Sequence, residues 1–182
     1  MHCRCTATVL ALALFVVLPS MGRAQESGMR GTWTLNREQS DDVHASINRA
    51  VARMNVVVRQ IVRPRLRNTN EVYPGAVIDY DDQSVSVTMR DGPSVSTPAN
   101  GEPVLWHRGT GRACPEVGGQ CVRVITTWEN GHLEQTFSAD DAQRVNDFSV
   151  SPDGRTLTMH VTIISPRLPS PLTYRLIYDR AA

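Results

Sequence analysis

The sequence contains no lysine. Its 19 basic residues are all arginine and stand against 18 acidic residues, so the formal net charge is only +1. Proteins that bind nucleic acid through bulk electrostatics carry a strong charge of one sign. We therefore expect no nucleic-acid partner.

The short motifs that mark common enzyme chemistries are also missing. There is no Gly-x-Ser-x-Gly, no His-Glu-x-x-His, no phosphate-binding glycine loop and no Cys-x-x-Cys pair. The histidines are scattered over separate segments rather than grouped with acids at metal-ligand spacing. The sequence therefore predicts a protein that is not an enzyme and that holds no cofactor or metal.

Long apolar runs are scarce. The longest is the ten-residue run Val9–Leu18, which follows Arg4 and precedes the small residues around Ala24. A helix needs about 20 apolar residues to cross a bilayer, whereas this pattern is typical of a secretory signal peptide. We expect residues 1–24 to be removed near Ala24. Residues 25–182 should then form one domain without a transmembrane segment, either periplasmic or secreted.

Cysteines are few, and two of the four lie in the predicted signal peptide. The other two, Cys114 and Cys121, flank a short loop that contains proline and glycine. In an oxidising compartment this spacing predicts a disulfide. A redox-active or metal-binding pair is the alternative, but two lone thiols make a poor metal site.

What the chain does have is alternation of apolar and polar residues. In the segment 155–164, Leu157, Met159 and Val161 share one face, which is typical of a strand with one dry face. Asn130-Gly131 between two such segments predicts a tight hairpin turn. The pattern predicts a mainly β, antiparallel meander of about ten strands: 31–35, 76–80, 84–89, 94–97, 103–107, 121–128, 132–137, 144–150, 155–164 and 172–178.

One segment has helical periodicity instead. Apolar residues recur at 3.6-residue spacing from Val43 to Ile61, which predicts one long amphipathic helix at about 41–63. Ser40 is a plausible N-cap, and Pro64 should end the helix.

The polar side of this helix carries arginines, and no acidic residue occurs between Val43 and Asn70. One interpretation is a solvated face whose arginines suit the helix C-terminus. The other is a surface for anionic lipid or another polyanion. The candidate residues for that surface are Arg49, Arg53, Arg59 and Arg63.

Three motifs carry a first resemblance: residues 31–36 (GTWTLN), 151–158 (SPDGRTLT) and 165–169 (SPRLP). Together they resemble a group of exported bacterial β-proteins that has no established activity. That resemblance implies export and a β architecture.

A second resemblance concerns architecture. Gly31-x-Trp33 on a first strand, followed by a helix and then a series of hairpins, is similar to the calycin barrels, which include lipocalins and fatty-acid-binding proteins. A helical insert after the first strand is closer to the fatty-acid-binding type. The resemblance implies a lipocalin-like β-barrel that binds a small lipophilic ligand. That family often uses an Arg-x-Tyr pair on its last strand, whereas Arg175 and Tyr178 here fall on opposite faces.

Aromatic residues on the predicted strands could line the ligand pocket of such a barrel, or they could fill a solid core. The candidate ligand-binding residues are Trp106, Trp128, Phe137, Tyr174 and Arg175. The leading hypothesis is an exported lipophilic-ligand-binding barrel. The alternative is an envelope interaction module that uses its arginine-rich helix on an anionic surface, without catalysis.

Overall fold

The computed structural model describes residues 28–181, so the predicted signal peptide lies outside the described residues. The described chain folds into ten strands and two helices. In chain order these are β1 (Gly31–Asn36), α1 (Val43–Ala50), α2 (Val56–Thr69), β2 (Gly75–Tyr80), β3 (Ser84–Met89), β4 (Ser94–Pro98), β5 (Val104–His107), β6 (Cys121–Glu129), β7 (His132–Ser138), β8 (Gln143–Val150), β9 (Thr156–Ile164) and β10 (Leu172–Arg180).

All ten strands belong to one antiparallel sheet, in the order β4-β3-β2-β1-β10-β9-β8-β7-β6-β5. The first and last strands are neighbours, with Leu35 opposite Tyr178. The edge strands β4 and β5 come together where the indole Nε1 of Trp106 donates to the carbonyl of Ser94 at 3.1 Å. The sheet is thus a nearly closed barrel, which confirms the predicted mainly β fold.

The residue types in the turn between β6 and β7 explain why this connection is so tight. Asn130 and Gly131 both adopt positive φ, 51° and 80°, as a two-residue hairpin between twisted strands requires. The turn joins β6 to β7 with Glu129 opposite His132. The predicted Asn-Gly hairpin is therefore confirmed.

The alternation on β9 places its apolar residues in the barrel interior. Leu157, Met159 and Val161 are buried beside the inward residues of β8 and β10. Trp33 of β1 is buried in the same cluster, where its indole Nε1 donates to the carbonyl of Met29 at 3.1 Å. This cluster fills one side of the barrel with side chains.

The predicted single helix is divided into two. Asp42, rather than Ser40, caps α1 by accepting the amide of Ala45 at 3.0 Å. The chain then turns, and the Asn55 side chain accepts the amide of Val57 at 2.9 Å, which starts α2. A side chain that caps the backbone competes with continuation of the helix. The 3.6-residue spacing of apolar residues therefore continues from α1 into α2 although the helix itself is interrupted.

The predicted end of the helix was wrong. Pro64 lies inside α2, which continues to Thr69. Its last turn is closed by side chains: the Thr69 hydroxyl donates to the carbonyl of Arg65 at 3.0 Å, and the Asn70 amide donates to that of Leu66 at 2.8 Å. These bonds satisfy carbonyls that would otherwise lack donors at a helix end.

The predicted disulfide joins Cys114 to Cys121, with their Cα atoms 6.0 Å apart. Residues 112–114, which lead into the loop that it closes, lie along the free edge of β5. There the amide of Cys114 donates to Leu105 at 3.1 Å, and the amide of His107 donates to Arg112 at 2.8 Å. This segment therefore covers backbone groups that an open sheet edge would expose.

Candidate ligand-binding site and helical surface

The barrel interior contains a polar layer between two apolar clusters. Thr126, Gln135 and Asn146 are buried on β6, β7 and β8, and the Gln135 amide donates to the Thr126 hydroxyl at 3.4 Å. One apolar cluster surrounds Trp33 and the other surrounds Trp106. Buried polar side chains that form such contacts orient their neighbours.

Arg144 of β8 is half-buried and contacts this layer. Its Nε donates to Asn146 Oδ1 at 2.7 Å, and its Nη1 donates to the carbonyl of Thr69 at 3.1 Å and to Asn70 Oδ1 at 3.3 Å. Within residues 28–181, no ion pair includes Arg144. The ion pairs found there are Arg30 with Asp79, His132 with Asp147, and Arg167 with Asp141.

Two buried tyrosines of β10 lie in the same region. The Tyr174 hydroxyl donates to Asn70 Oδ1 at 3.0 Å. Burial raises the pKa of Tyr174, and the nearby Arg144 guanidinium opposes that shift. Burial likewise raises the pKa of Tyr178, with a further rise from Tyr174. Both hydroxyls therefore remain neutral donors at ordinary pH.

A cleft of about 730 Å³ opens at the helical end of the barrel. Asn70, Tyr73 and Leu176 are among its lining residues, and Asn70 contacts Arg144 and Tyr174 from the other side. We call the hydrogen-bonded group of Asn70, Arg144, Asn146 and Tyr174 the polar centre. The cleft thus reaches the outer side of the polar centre. Its rim carries charges of both signs, contributed by Arg37, Arg67, Asp41, Asp42, Glu71 and Asp91.

Four of the five predicted ligand residues lie in three places in the barrel. Trp106 and Phe137 form an edge-to-face pair with ring centroids 6.0 Å apart in the second cluster. Trp128 makes a similar contact at 5.2 Å with Tyr80. Tyr174 belongs to the polar centre around Arg144.

Arg175 was the remaining predicted ligand residue, and its placement differs from the others. It is exposed on the outer face of β10, where its backbone amide donates to the carboxylate of Asp41 at 2.8 Å. Side chains of successive strand residues point to opposite faces, so Tyr174 points inward and Arg175 does not reach the interior.

Arg144, Asn146 and Asn70 were not among the site residues predicted from the sequence. A pattern for the first two was present, because Arg144 and Asn146 alternate with outward residues on the same face as Phe148. Asn70 had no comparable pattern, since its partners lie 74 and 104 residues away in the chain.

The four arginines predicted to form an anionic-surface site do not form one continuous strip. Arg49 donates to the Ser46 hydroxyl at 2.8 Å, and Arg53 is exposed in the turn between the helices. Arg59 is half-buried and donates to the carbonyls of Ala52 and Met54, both at 2.9 Å. Arg63 is half-buried beside it.

Helix α2 contains no buried residue. Four of its aliphatic side chains are exposed instead: Val56 by 62%, Val57 by 67%, Val58 by 46% and Ile61 by 53%. The predicted apolar face of the helix is therefore not covered by the barrel along α2.

Within residues 28–181, neither helix is both long and apolar enough to span a bilayer. No three side chains of the His, Cys, Asp and Glu types come together as a metal site in that part of the chain.

Sequence comparisons with protein-family models and with curated proteins give no match. Solved structures do match over most of the chain. Fatty-acid-binding protein 1 of Echinococcus granulosus is 16% identical, with 86% of this chain and 99% of that chain covered and a TM-score of 0.50. The Schistosoma mansoni fatty acid binding protein in complex with arachidonic acid is 20% identical, with coverage of 87% and 99% and a TM-score of 0.52.

The fluorescent protein UnaG is 15% identical, with 85% of this chain and 98% of that chain covered and a TM-score of 0.54. Identities this low carry information on fold, not on ligand. The described chain therefore has the β-barrel architecture of the fatty-acid-binding proteins, a calycin fold.

Proposed function

We propose that this protein binds a small lipophilic ligand at the helical end of its barrel, with an anionic head group of the ligand on Arg144. The observation that carries the proposal is a guanidinium directed into the barrel with no acidic partner in residues 28–181. A charge in such a place favours a counter-charge strongly, because interior ion pairs are poorly screened.

The acceptors that Arg144 now uses are replaceable. Its Nη1 contacts the carbonyl of Thr69 and the side chain of Asn70, at the C-terminus of α2. These are neutral groups with a partial negative charge from the helix dipole. A carboxylate makes charge-assisted hydrogen bonds that are about twice as strong, so it would compete well for the same donors.

The apolar body of the ligand has contacts available around the same place. Leu35, Leu66 and Val72 are only partly buried and pack against the main cluster. Because α2 has no fully buried residue, moving its C-terminus uncovers chiefly one apolar side chain of the helix, that of Leu66. The ligand therefore replaces part of the helical cover, while the filled centre around Trp33 stays in place.

A matched pair of probes tests this function: a dansyl-labelled long-chain carboxylic acid and its methyl ester. We expect the wild-type protein to bind the acid. Arg144→Gln should weaken the affinity for the acid by about tenfold or more, since one charged hydrogen-bond site is worth about 1.5–3 kcal/mol. The ester should be affected far less. Arg175→Gln, on the outer surface, is the control for loss of one positive charge.

Two outcomes argue against the proposal. One is failure of wild type to bind either probe. The other is equal affinity of the Arg144→Gln and Arg175→Gln variants for the acid. Arg144→Lys keeps a charge at the site and should retain part of the acid binding, which separates a lost charge from a disturbed fold.

The proposal includes export to the periplasm or the exterior. Its support is the predicted signal peptide of residues 1–24 together with the Cys114–Cys121 bond, since disulfides persist in oxidising compartments. Fractionation of expressing cells and N-terminal sequencing of the product test it. A cytoplasmic product that retains Met1 would contradict export.

A further inference from the structure

Helix α2 turns its apolar side away from the barrel. Val57 and Ile61 are four residues apart, so they lie on one face of the helix, and both are more than half exposed. Pro64 continues this face and is exposed as well. We call Val57, Ile61 and Pro64 the outer ridge of α2. Val56 and Val58 flank the ridge and are exposed.

The inward side of the same helix is the more polar one. Arg59 and Arg63 are half-buried there, together with Val62 and Leu66. A surface helix ordinarily places its apolar side on the core and its charges in water. The orientation of α2 is the reverse, so apolar burial against this barrel does not explain its valines.

Basic residues border the outer ridge, and no acidic residue is present to balance them. Arg65 lies on the same side of the helix as Val58, and Arg67 on the same side as Val56, so that one arginine stands on each side of the ridge. Both arginines are exposed. Between Val43 and Asn70 the sequence has six arginines and no Asp or Glu. The surface is therefore apolar in the middle and positive on both flanks.

A shallow groove of about 460 Å³ runs along one flank, lined by Val56, Arg59, Gln60, Arg63, Pro64 and Arg67. The Nε atoms of Arg59 and Arg63, two of these lining residues, are buried and have no hydrogen-bond partner in residues 28–181. Buried donors without an acceptor are costly, at about 1–3 kcal/mol each. An oxyanion in the groove would supply acceptors next to a positive charge.

We propose that α2 docks the protein on the surface of an anionic phospholipid bilayer. The outer ridge enters the boundary between head groups and acyl chains, and the flanking arginines bind head-group phosphates. A bilayer presents both an apolar layer and a dense array of oxyanions, and basic amphipathic helices insert about 5–10 Å into it. The long arginine side chains can reach back to the phosphates while their stems stay in apolar surroundings.

A protein partner fits this surface less well. The outer ridge is convex and contains few aliphatic side chains, whereas a stable protein interface buries about 800 Å² on each partner. This inference does not depend on Arg144 or on a ligand in the barrel. Lipid docking can therefore fail while ligand binding holds, and the reverse.

Co-sedimentation of the mature protein with vesicles tests the inference. The vesicles are phosphatidylcholine alone or phosphatidylcholine mixed with phosphatidylglycerol. We expect wild type to bind the mixed vesicles, and Val57→Ser with Ile61→Ser to reduce the partition coefficient by about tenfold or more. The matched control is Val77→Ser with Ile164→Ser, which removes aliphatic side chains of comparable exposure, 41% and 47%, from the barrel surface. It should bind like wild type.

A second pair of variants tests the charges. Arg65→Gln with Arg67→Gln should weaken binding by about thirtyfold, at about 1 kcal/mol for each basic residue near an anionic surface. The control is Arg155→Gln with Arg175→Gln, which removes the same number of positive charges from exposed positions on the barrel. Arg59 is avoided because its guanidinium holds the turn between the helices.

The depth to which the outer ridge inserts into the bilayer can be measured independently. Tryptophan at position 57 (Val57→Trp) should show a blue-shifted emission on mixed vesicles relative to wild type, whereas Val77→Trp should not. The proposal is overturned if wild type binds neither vesicle type or binds both equally. It is also overturned if the ridge variant binds like wild type: salt-sensitive binding would then identify a polyanion surface without insertion.

Discussion

Asn70 and Tyr174 are 104 residues apart in the chain, yet the Tyr174 hydroxyl donates to Asn70 Oδ1 at 3.0 Å. The same amide oxygen accepts Nη1 of Arg144, and the amide nitrogen donates to the carbonyl of Leu66 at the end of α2. One buried side chain therefore connects the helical cover to two strands of the barrel. The contacts of Asn70 therefore attach the C-terminal end of α2 to the barrel.

Asn70→Ala should loosen α2 and destabilise the protein. The substitution leaves the Tyr174 hydroxyl and Arg144 with fewer acceptors and removes the cap on Leu66, so we expect a loss of about 2–3 kcal/mol in the free energy of unfolding. Urea denaturation measures the loss, and amide hydrogen exchange over residues 56–69 should become faster. Asn68→Ala, at an exposed position of the same helix, should stay within about 0.5 kcal/mol of wild type. Unchanged exchange in Asn70→Ala would contradict this role.

The free energy of unfolding should fall at alkaline pH. Burial raises the folded-state pKa of Tyr178 and Tyr174 above the ordinary value of 10.0. The folded protein then binds more protons than the unfolded chain above pH 10, so stability is complete below that pH and declines as the pH rises. Denaturation curves between pH 8 and pH 11 measure the slope.

Tyr178→Phe is the control for that slope. It removes a titrating group and should flatten the alkaline decline relative to wild type. Ultraviolet titration of the folded protein should also show buried tyrosines that ionise later than free tyrosine. An identical pH dependence of wild type and Tyr178→Phe would exclude Tyr178 as the source.

The strands were predictable because their pattern is local. On β9 the inward residues Leu157, Met159 and Val161 alternate with polar ones, and all three are buried. The Asn130-Gly131 turn needs positive φ at both positions, which few residue pairs tolerate. Each of these features depends on neighbours in the chain, so the residue types alone identify them.

The helical region and the polar centre were less predictable for a physical reason. Periodicity reports that Val57 and Ile61 share a face, but it does not report whether that face meets the barrel. The break at Asn55 depends on one side chain that accepts the amide of Val57. The contacts of Asn70 join segments far apart in the chain, and a single sequence has no local pattern for such pairs.

Removing the disulfide should destabilise the protein moderately. In the chain-entropy model, a loop as short as that between Cys114 and Cys121 is worth about 2–3 kcal/mol. Cys114→Ser with Cys121→Ser should therefore lose about that much, measured by urea denaturation. Dithiothreitol should lower the stability of wild type to a similar degree and leave the double variant unchanged. An effect of dithiothreitol on the double variant would point to another cause.

Gly131→Ala should weaken the β6–β7 hairpin. Gly131 has φ of 80°, a region that costs an L-residue with a Cβ about 1–2 kcal/mol. We expect a loss of that size in the free energy of unfolding. Asn130→Gly, at the neighbouring position with φ of 51°, should cost little because glycine tolerates the same backbone. Equal effects of the two substitutions would exclude backbone conformation as the cause.

Arg144 and Asn146 should prove energetically coupled. Nε of Arg144 donates to Asn146 Oδ1 at 2.7 Å, and Asn146 is buried. Asn146→Leu alone removes an acceptor from a charged group, which is costlier than removing both partners. The double variant Arg144→Leu with Asn146→Leu should therefore lose less stability than the sum of the single variants, by about 0.5–3 kcal/mol. Thermal and urea denaturation of wild type, the two single variants and the double variant complete this double-mutant cycle. Additive losses would mean that Asn146 does not hold the guanidinium in place, and the orientation of Arg144 toward the helical end would then depend on Thr69 and Asn70 alone.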